Sequence, residues 1–201
     1  MVRRAVFYYD FNSPYSYLAA ERVNQTLPEP PEWRPVSFGH ILLATGRTPW
    51  SLGPERDEGM REVERRAAER GLPAIHWVEG WPRETHSLKP LRAAVFAEQA
   101  GKVVSFSLAA FRQFFAAGRD LSDIDNVLLA AAAAELHPRA VLKGVETRAV
   151  KQRLQEATEE ALKRGVTGVP TVAVGDDLFW GDDRLEEAAE AASRLTTTSG
   201  E

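Results

Sequence analysis

Three observations place this chain in the α/β class, as a small sheet split by an all-helical insertion. Short β-rich runs occur near the two ends, at residues 5–10, 33–38, 171–174 and 178–180. Between residues 39 and 144 the apolar positions follow helical spacing, with Pro or Gly punctuating nearly every segment. Amphipathic helices are predicted on either side of the closing pair of strands, so helices are at hand to cover the sheet.

The first run, Ala5-Val6-Phe7-Tyr8-Tyr9, is too short for a signal-peptide core and reads as a strand. Asn12-Ser13-Pro14 then supplies a capping residue and a proline suited to a first helical turn. A helix is predicted from Pro14 with Ala19, Val23 and Leu27 on one face, stopped by Pro28, Pro30 and Pro31. Within the insertion, one helix carries Val104, Leu108, Phe111 and Phe115 and closes at Gly118. Another opens at Ser122 and carries Ile124, Val127, Leu128 and Ala131. Residues 55–70 are so charged that only Met60, Val63 and Ala67 mark an inner face, which places that helix on the surface. The clearest helix spans 147–164, where Val150, Leu154, Ala157 and Ala161 hold one face and Gly165 sits at the C-cap. Gly175-Asp176-Asp177 suits a hairpin turn, and Asp183 with Glu186 reads as a capping box for a helix carrying Leu185, Ala189, Ala192 and Leu195. Residues 196–201 read as a loose tail. The predicted division is a sheet domain of residues 1–45 and 147–201 around a helical domain of residues 46–146.

Composition narrows the function. A chain of 201 residues with 44% hydrophobic and 27% charged residues buries a core without staples. The net charge of −4 argues against a nucleic-acid binder. The longest apolar run, 127–134, is far short of a membrane span, so a soluble protein is expected. With 0 cysteines the chain makes no disulfide, thiolate metal site or dithiol couple, and cytoplasmic residence is the default expectation.

Two local features carry chemistry. Ser13-Pro14-Tyr15-Ser16 lies between a strand and a helix start, where free backbone N–H groups favour an anion such as a thiolate or carboxylate. A serine there also serves simply as a cap. Val169-Pro170 precedes a strand-like run, and a proline in that position marks a tight turn, sometimes with a cis bond.

Together with the final hairpin and helix, these features resemble the family of 2-hydroxychromene-2-carboxylate isomerases and kappa-class glutathione transferases, of DsbA-like thioredoxin fold. The resemblance is carried by Phe7-Tyr8-Tyr9-Asp10-Phe11-Asn12-Ser13-Pro14-Tyr15-Ser16-Tyr17-Leu18-Ala19, by Gly165-Val166-Thr167-Gly168-Val169-Pro170-Thr171, and by Leu178-Phe179-Trp180-Gly181-Asp182-Asp183-Arg184-Leu185. It implies glutathione, or another small thiol, as cofactor, an aromatic small-molecule substrate, and a homodimer. It also implies that Ser13 hydrogen-bonds the sulfur, that the backbone of Val169 pairs with the thiol peptide, and that Asp182 and Asp183 hold the γ-glutamyl end. The activity implied is a glutathione-dependent isomerisation. A kappa-like transferase or peroxidase and a non-catalytic thioredoxin-fold binding or chaperone module are the alternatives.

Two positions depart from the family pattern. Arg47 stands where relatives often have Asn, and reads either as a carboxylate fork or as a solvated arginine. His86 also replaces an Asn, and reads as a substrate donor, a general base or a structural histidine. Trp50, Trp77 and Trp81 are candidates for the walls of an aromatic pocket or for core packing, and Tyr15 and Tyr17 share that ambiguity. Energetics favour a chemical role for Ser13. Lowering a thiol pKa by about two units takes roughly 2.7 kcal/mol. A helix N-terminus alone supplies about 0.3–1 kcal/mol, and up to about 2 kcal/mol in a sheltered position, whereas a charge-assisted hydrogen bond adds about 1.5–3 kcal/mol.

Overall fold

The four β-rich runs pair into one mixed sheet of order β2-β1-β3-β4. The computed structural model describes residues 4–198. Strand β1 (Val6–Tyr9) runs parallel to β2 (Glu32–Pro35) and antiparallel to β3 (Thr171–Val174), which forms a hairpin with β4 (Asp177–Trp180). Side chains alternate across a strand, so β1 feeds two cores. Phe7 and Tyr9 pack with Trp33, Phe11, Phe106 and Phe111 on one face. Tyr8 packs with Val36, Ile41, Ala161, Val166 and Ala173 on the other.

The helices fill in around this sheet. After α1 (Pro14–Ala20), α2 (Val23–Thr26) and α3 (Phe38–Thr45) come a 3₁₀ turn at Trp50–Leu52 and α4 (Arg56–Glu69). Then α5 (Leu88–Gln99), α6 (Val103–Phe111), a π-turn at Arg112–Ala116, α7 (Ile124–Ala133) and α8 (Pro138–Gly144) complete the middle of the chain. Helix α9 (Arg148–Lys163) and α10 (Leu185–Thr198) flank the hairpin. Leu91, Phe106 and Phe111 from the middle segment share one buried cluster with Phe7, Tyr9 and Trp33.

Several local expectations are corrected. The run 33–38 does not stay extended, because Ser37 caps α3 and Phe38 N–H donates to the buried Asp10 carboxylate at 2.8 Å. The helix expected from Pro14 to Leu27 breaks at Arg22, although Ala19, Val23 and Leu27 all remain buried. Asp123, not Ser122, caps α7, accepting from Asp125 N–H at 3.0 Å. The hairpin turn is two residues, Gly175-Asp176, since Asp177 already pairs with Val174. No capping box forms at Asp183, because α10 starts at Leu185 and the Glu186 carboxylate instead meets Arg22. The expected loose tail is helical through Thr198, and residues 199–201 lie outside the described residues. Among the described residues no helix is long and apolar enough to cross a membrane.

Candidate active site

Register brings the two ends of the chain together. Tyr8 pairs with Thr171, so the segment leaving β1 and the turn entering β3 lie side by side at one end of the sheet. Ser13 is buried there as the N-cap of α1. Its Oγ accepts from Ser16 N–H at 3.2 Å and donates to the Val169 carbonyl at 3.4 Å. The Val169–Pro170 bond is cis. Thr171 Oγ1 donates to Gly168 O at 2.7 Å and Gly181 N–H donates to Pro170 O at 3.0 Å, which fixes this turn. Val169 N–H has no hydrogen-bond partner among the described residues.

Beside these groups opens a cavity of about 420 Å³, lined by Ser13, Tyr15, Arg47, Trp50, Arg66, Trp81, Val169, Trp180 and Asp183 among others. The volume lies within the range of small-molecule sites. Trp81 is held by Nε1–H donation to Asn12 O at 3.2 Å and is contacted by Trp50 and Trp77. Arg47 lies over the Trp180 ring, its Cζ 4.4 Å from the centroid, with Nη1 donating to Thr167 O and Oγ1 at 3.3 and 3.2 Å. Its fork is therefore anchored at the rim, in a cation–π contact suited to guanidinium. Trp180 in turn leans on Gly168, where any Cβ would come within 2.6 Å of the indole nitrogen.

The opposite corner is ionic. Asp182 is buried, with its carboxylate 2.7 Å from Arg66 Nη1 and 2.6 Å from Arg70 Nη2. Asp183, one residue on, is exposed and lies 4.0 Å from Arg66. Arg66 also donates to Glu62 at 2.7 Å and sits over the Tyr15 ring at 5.4 Å. Burial raises the Tyr15 hydroxyl pKa despite the nearby Arg66 charge. Hydrogen bonds from Arg65 and Arg66 hold the Glu62 carboxyl down to about 2.

Asp10 sits beneath the site. It is buried and accepts from Asn12 N–H at 2.9 Å, Phe38 N–H at 2.8 Å and Ser87 Oγ at 3.1 Å. Burial pushes its carboxyl up from the ordinary range, against the pull of those three donors. By joining the strand end, α3 and the loop before α5, it holds Asn12 and Phe38 in the cavity wall.

Among the residues singled out in the sequence, Ser13, Tyr15, Arg47, Trp81, Val169 and Asp183 meet at this cavity. Asp182 turns away from it into the arginine pair, and Tyr17 is a core residue packed on Phe115. His86 is exposed in an adjoining groove of about 490 Å³, which shares Asn12, Phe38, Leu42, Pro49 and Ser51 with the cavity. Sequence reasoning misses Arg66 because α4 reads as a solvated face. Its signals were Glu62 one helical turn earlier and its place between Val63 and Ala67 at the edge of the buried stripe.

A strand–serine–helix start facing an X-Pro turn, on a four-stranded mixed sheet covered by helices, defines a protein of the thioredoxin-fold class. Residues 4–193 match the model of the DSBA-like thioredoxin domain, and the chain belongs to that family. It is 28% identical over 200 residues to 2-hydroxychromene-2-carboxylate isomerase of Sphingobium xenophagum, spanning 92% of this chain and 96% of that protein. It is 25% identical over 194 residues to glutathione S-transferase kappa 1 of Rattus norvegicus, spanning 89% and 86%. A solved structure of 2-hydroxychromene-2-carboxylate isomerase superposes with a TM-score of 0.85 at 23% identity, covering 98% of this chain and 97% of the other, a likeness of fold.

Proposed function

We propose that this chain is a cytoplasmic, glutathione-dependent isomerase of an aromatic, 2-hydroxychromene-2-carboxylate-like substrate. The observation that carries the reading is the meeting of the Ser13 hydroxyl and the Val169 backbone, 3.4 Å apart, at a cavity in a chain that has no thiol of its own. The fit to a thiol peptide is chemical. Val169 offers an N–H without a partner among the described residues, Ser13 offers a hydroxyl proton in a long bond, and Asp183 offers a carboxylate to an ammonium group.

When bound, the thiol supplies a nucleophilic sulfur that adds reversibly to the conjugated substrate and leaves unchanged. Ser13 turns its hydroxyl proton from the Val169 carbonyl to the sulfur, while its Oγ keeps accepting from Ser16 N–H. Such a charge-assisted bond is worth about 1.5–3 kcal/mol. Val169 aligns the peptide, and Arg47 directs the free part of its fork to a carboxylate. Tyr15, Trp50 and Trp81 form the aromatic wall, and His86 addresses substrate reaching into the adjoining groove.

The similarity to a kappa-class transferase supports a second reading, in which the thiol is consumed. Calorimetric titration with glutathione, wild type against Ser13→Ala, tests the site, and weaker but still saturable binding by the variant is the expected result. Absorbance of the chromene substrate, followed together with free thiol, then separates the activities. Isomerisation with thiol conserved supports the isomerase, whereas stoichiometric thiol loss without isomerisation supports the transferase.

A further inference from the structure

Resting on the isomerase reading, we infer that the groove beside the cavity receives the far ring of the substrate past the Ser51 hydroxyl, so that the chain selects hydroxychromene-carboxylate-like acids carrying a further fused ring. The cavity of about 420 Å³ lies near the lower end of the range for a single small-molecule site, yet a thiol peptide and an aromatic acid must meet in it. Thr167, Val169, Trp180, Gly181 and Asp183 border the cavity and not the groove, which leaves the thiol peptide on that side. Asn12, Phe38, Leu42, Pro49 and Ser51 border both spaces, and the aromatic substrate extends along them into the further 490 Å³.

Ser51 stands at the junction. It is only 8% exposed, and its hydroxyl has no hydrogen-bond partner among the described residues. The other polar side chain of the shared wall is engaged, since the Asn12 carboxamide accepts from Thr85 Oγ1 at 2.8 Å and donates to Thr85 O at 3.4 Å. A buried hydroxyl without a partner carries a cost that a ligand oxygen relieves, and serine can donate or accept. The residue is also held in place. Leu52 N–H donates to Pro49 O at 3.0 Å and Gly53 N–H to Trp50 O at 2.9 Å, which closes the turn around it. The Trp50 ring fills a notch over Gly59, where a Cβ would come within 2.3 Å of it. Ser51 thus presents a fixed polar contact to an oxygen of the substrate ring system.

Beyond Ser51 the groove suits an apolar ring. Leu43, Leu52 and Leu88 line it and are 86%, 37% and 48% exposed, three of the seven large apolar side chains that stand out to solvent among the described residues. The lining holds no lysine or arginine among the described residues. Its one carboxylate, Asp10, is already filled by three donors. A fused hydrocarbon ring therefore fits this space better than a second charged group.

The test is steady-state isomerisation, with glutathione present, of 2-hydroxychromene-2-carboxylate and of its linear and angular benzo-fused homologues. Wild type should turn over one of the fused homologues with kcat/KM about tenfold or more above that of the parent acid. Leu88→Trp, an exposed change, fills the groove and should reduce that ratio about tenfold. Ser51→Ala should raise KM for the preferred acid about three- to tenfold with kcat and the urea midpoint kept, because no internal bond is lost. A lowered midpoint with KM unchanged would make Ser51 a structural residue and overturn its assignment. Equal or better turnover of the parent acid by wild type overturns the inference alone. So does a ratio untouched by Leu88→Trp, and a change of oligomeric state in that variant would then give the leucines to a second copy of the chain. Failure to isomerise any of the three acids overturns the isomerase reading and this inference with it.

Discussion

The two ends of the cavity are built from opposite materials. At the Ser13 end the groups are small, uncharged and buried, and they hang on the pairing of β1 with β3. At the Arg66 end they are long charged side chains from α4 and the turn after β4, held by one another. Bond making at sulfur tolerates little displacement, and framework atoms supply that precision. Recognition of a flexible ligand terminus tolerates more, and there side chains suffice. Under the proposed thiol reading, the contrast gives the chemistry to the sheet end and ligand recognition to the ionic corner.

The largest expected effect is on the ionic corner itself. Asp182→Asn leaves Arg66 and Arg70 facing a neutral group in a buried position, and about 3 kcal/mol of stability should be lost, read as a lower urea midpoint. A loss near zero would show that the corner is not held by this carboxylate and would break the contrast. Ser13→Ala comes next. It should raise the pKa of the bound thiol, seen by thiolate absorbance, as about 1.5–3 kcal/mol of stabilisation disappears. The lost cap should cost folding only about 1 kcal/mol. An unchanged thiol pKa would move the chemistry away from the framework end.

Gly181→Ala joins the two ends. Gly181 adopts φ +125°, and a Cβ there would also run into Asp183 Oδ1. The substitution should cost about 1–3 kcal/mol in stability and weaken glutathione binding by displacing Asp183. A variant with normal stability and affinity would show that the turn does not set this carboxylate. Arg47→Ala should remove about 0.5–1 kcal/mol of stacking on Trp180, measured by thermal unfolding.

The smallest effect is a pH dependence. Glu62 titrates at about 2 in the folded chain against 4.5 as an ordinary side chain. The folded state thus binds fewer protons between these values, and stability falls as the pH is lowered across them. Its contribution is complete above pH 4.5 and is lost as pH falls through about 2. The midpoints of wild type and Glu62→Gln, compared over this range, should converge toward acid.

Legibility in the sequence follows the same division. The Ser13 cap and the X-Pro turn at Pro170 follow from local backbone chemistry, whereas the roles of Ser13 and Val169 toward a thiol come only with the family resemblance. Arg66 was not readable, since a charged helix with a narrow apolar stripe looks the same whether its flank meets water or a cavity. Asp182 and Asp183 are chemically identical neighbours, yet the turn at Gly181 buries one and exposes the other. His86 likewise has no local signal that distinguishes the adjoining groove from the cavity.

By itself, the sequence determined the order of strands and helices, the absence of an internal thiol, and the two backbone motifs that face each other. Each follows from local stereochemistry or composition. The tertiary structure decided which charged residues share one corner, that the helix after β1 breaks at Arg22, and that the run after β2 turns into α3 over the Asp10 carboxylate. The α3 turn and the charged corner depend on electrostatic partners 28 and 116 residues away along the chain, and no local pattern encodes such partners.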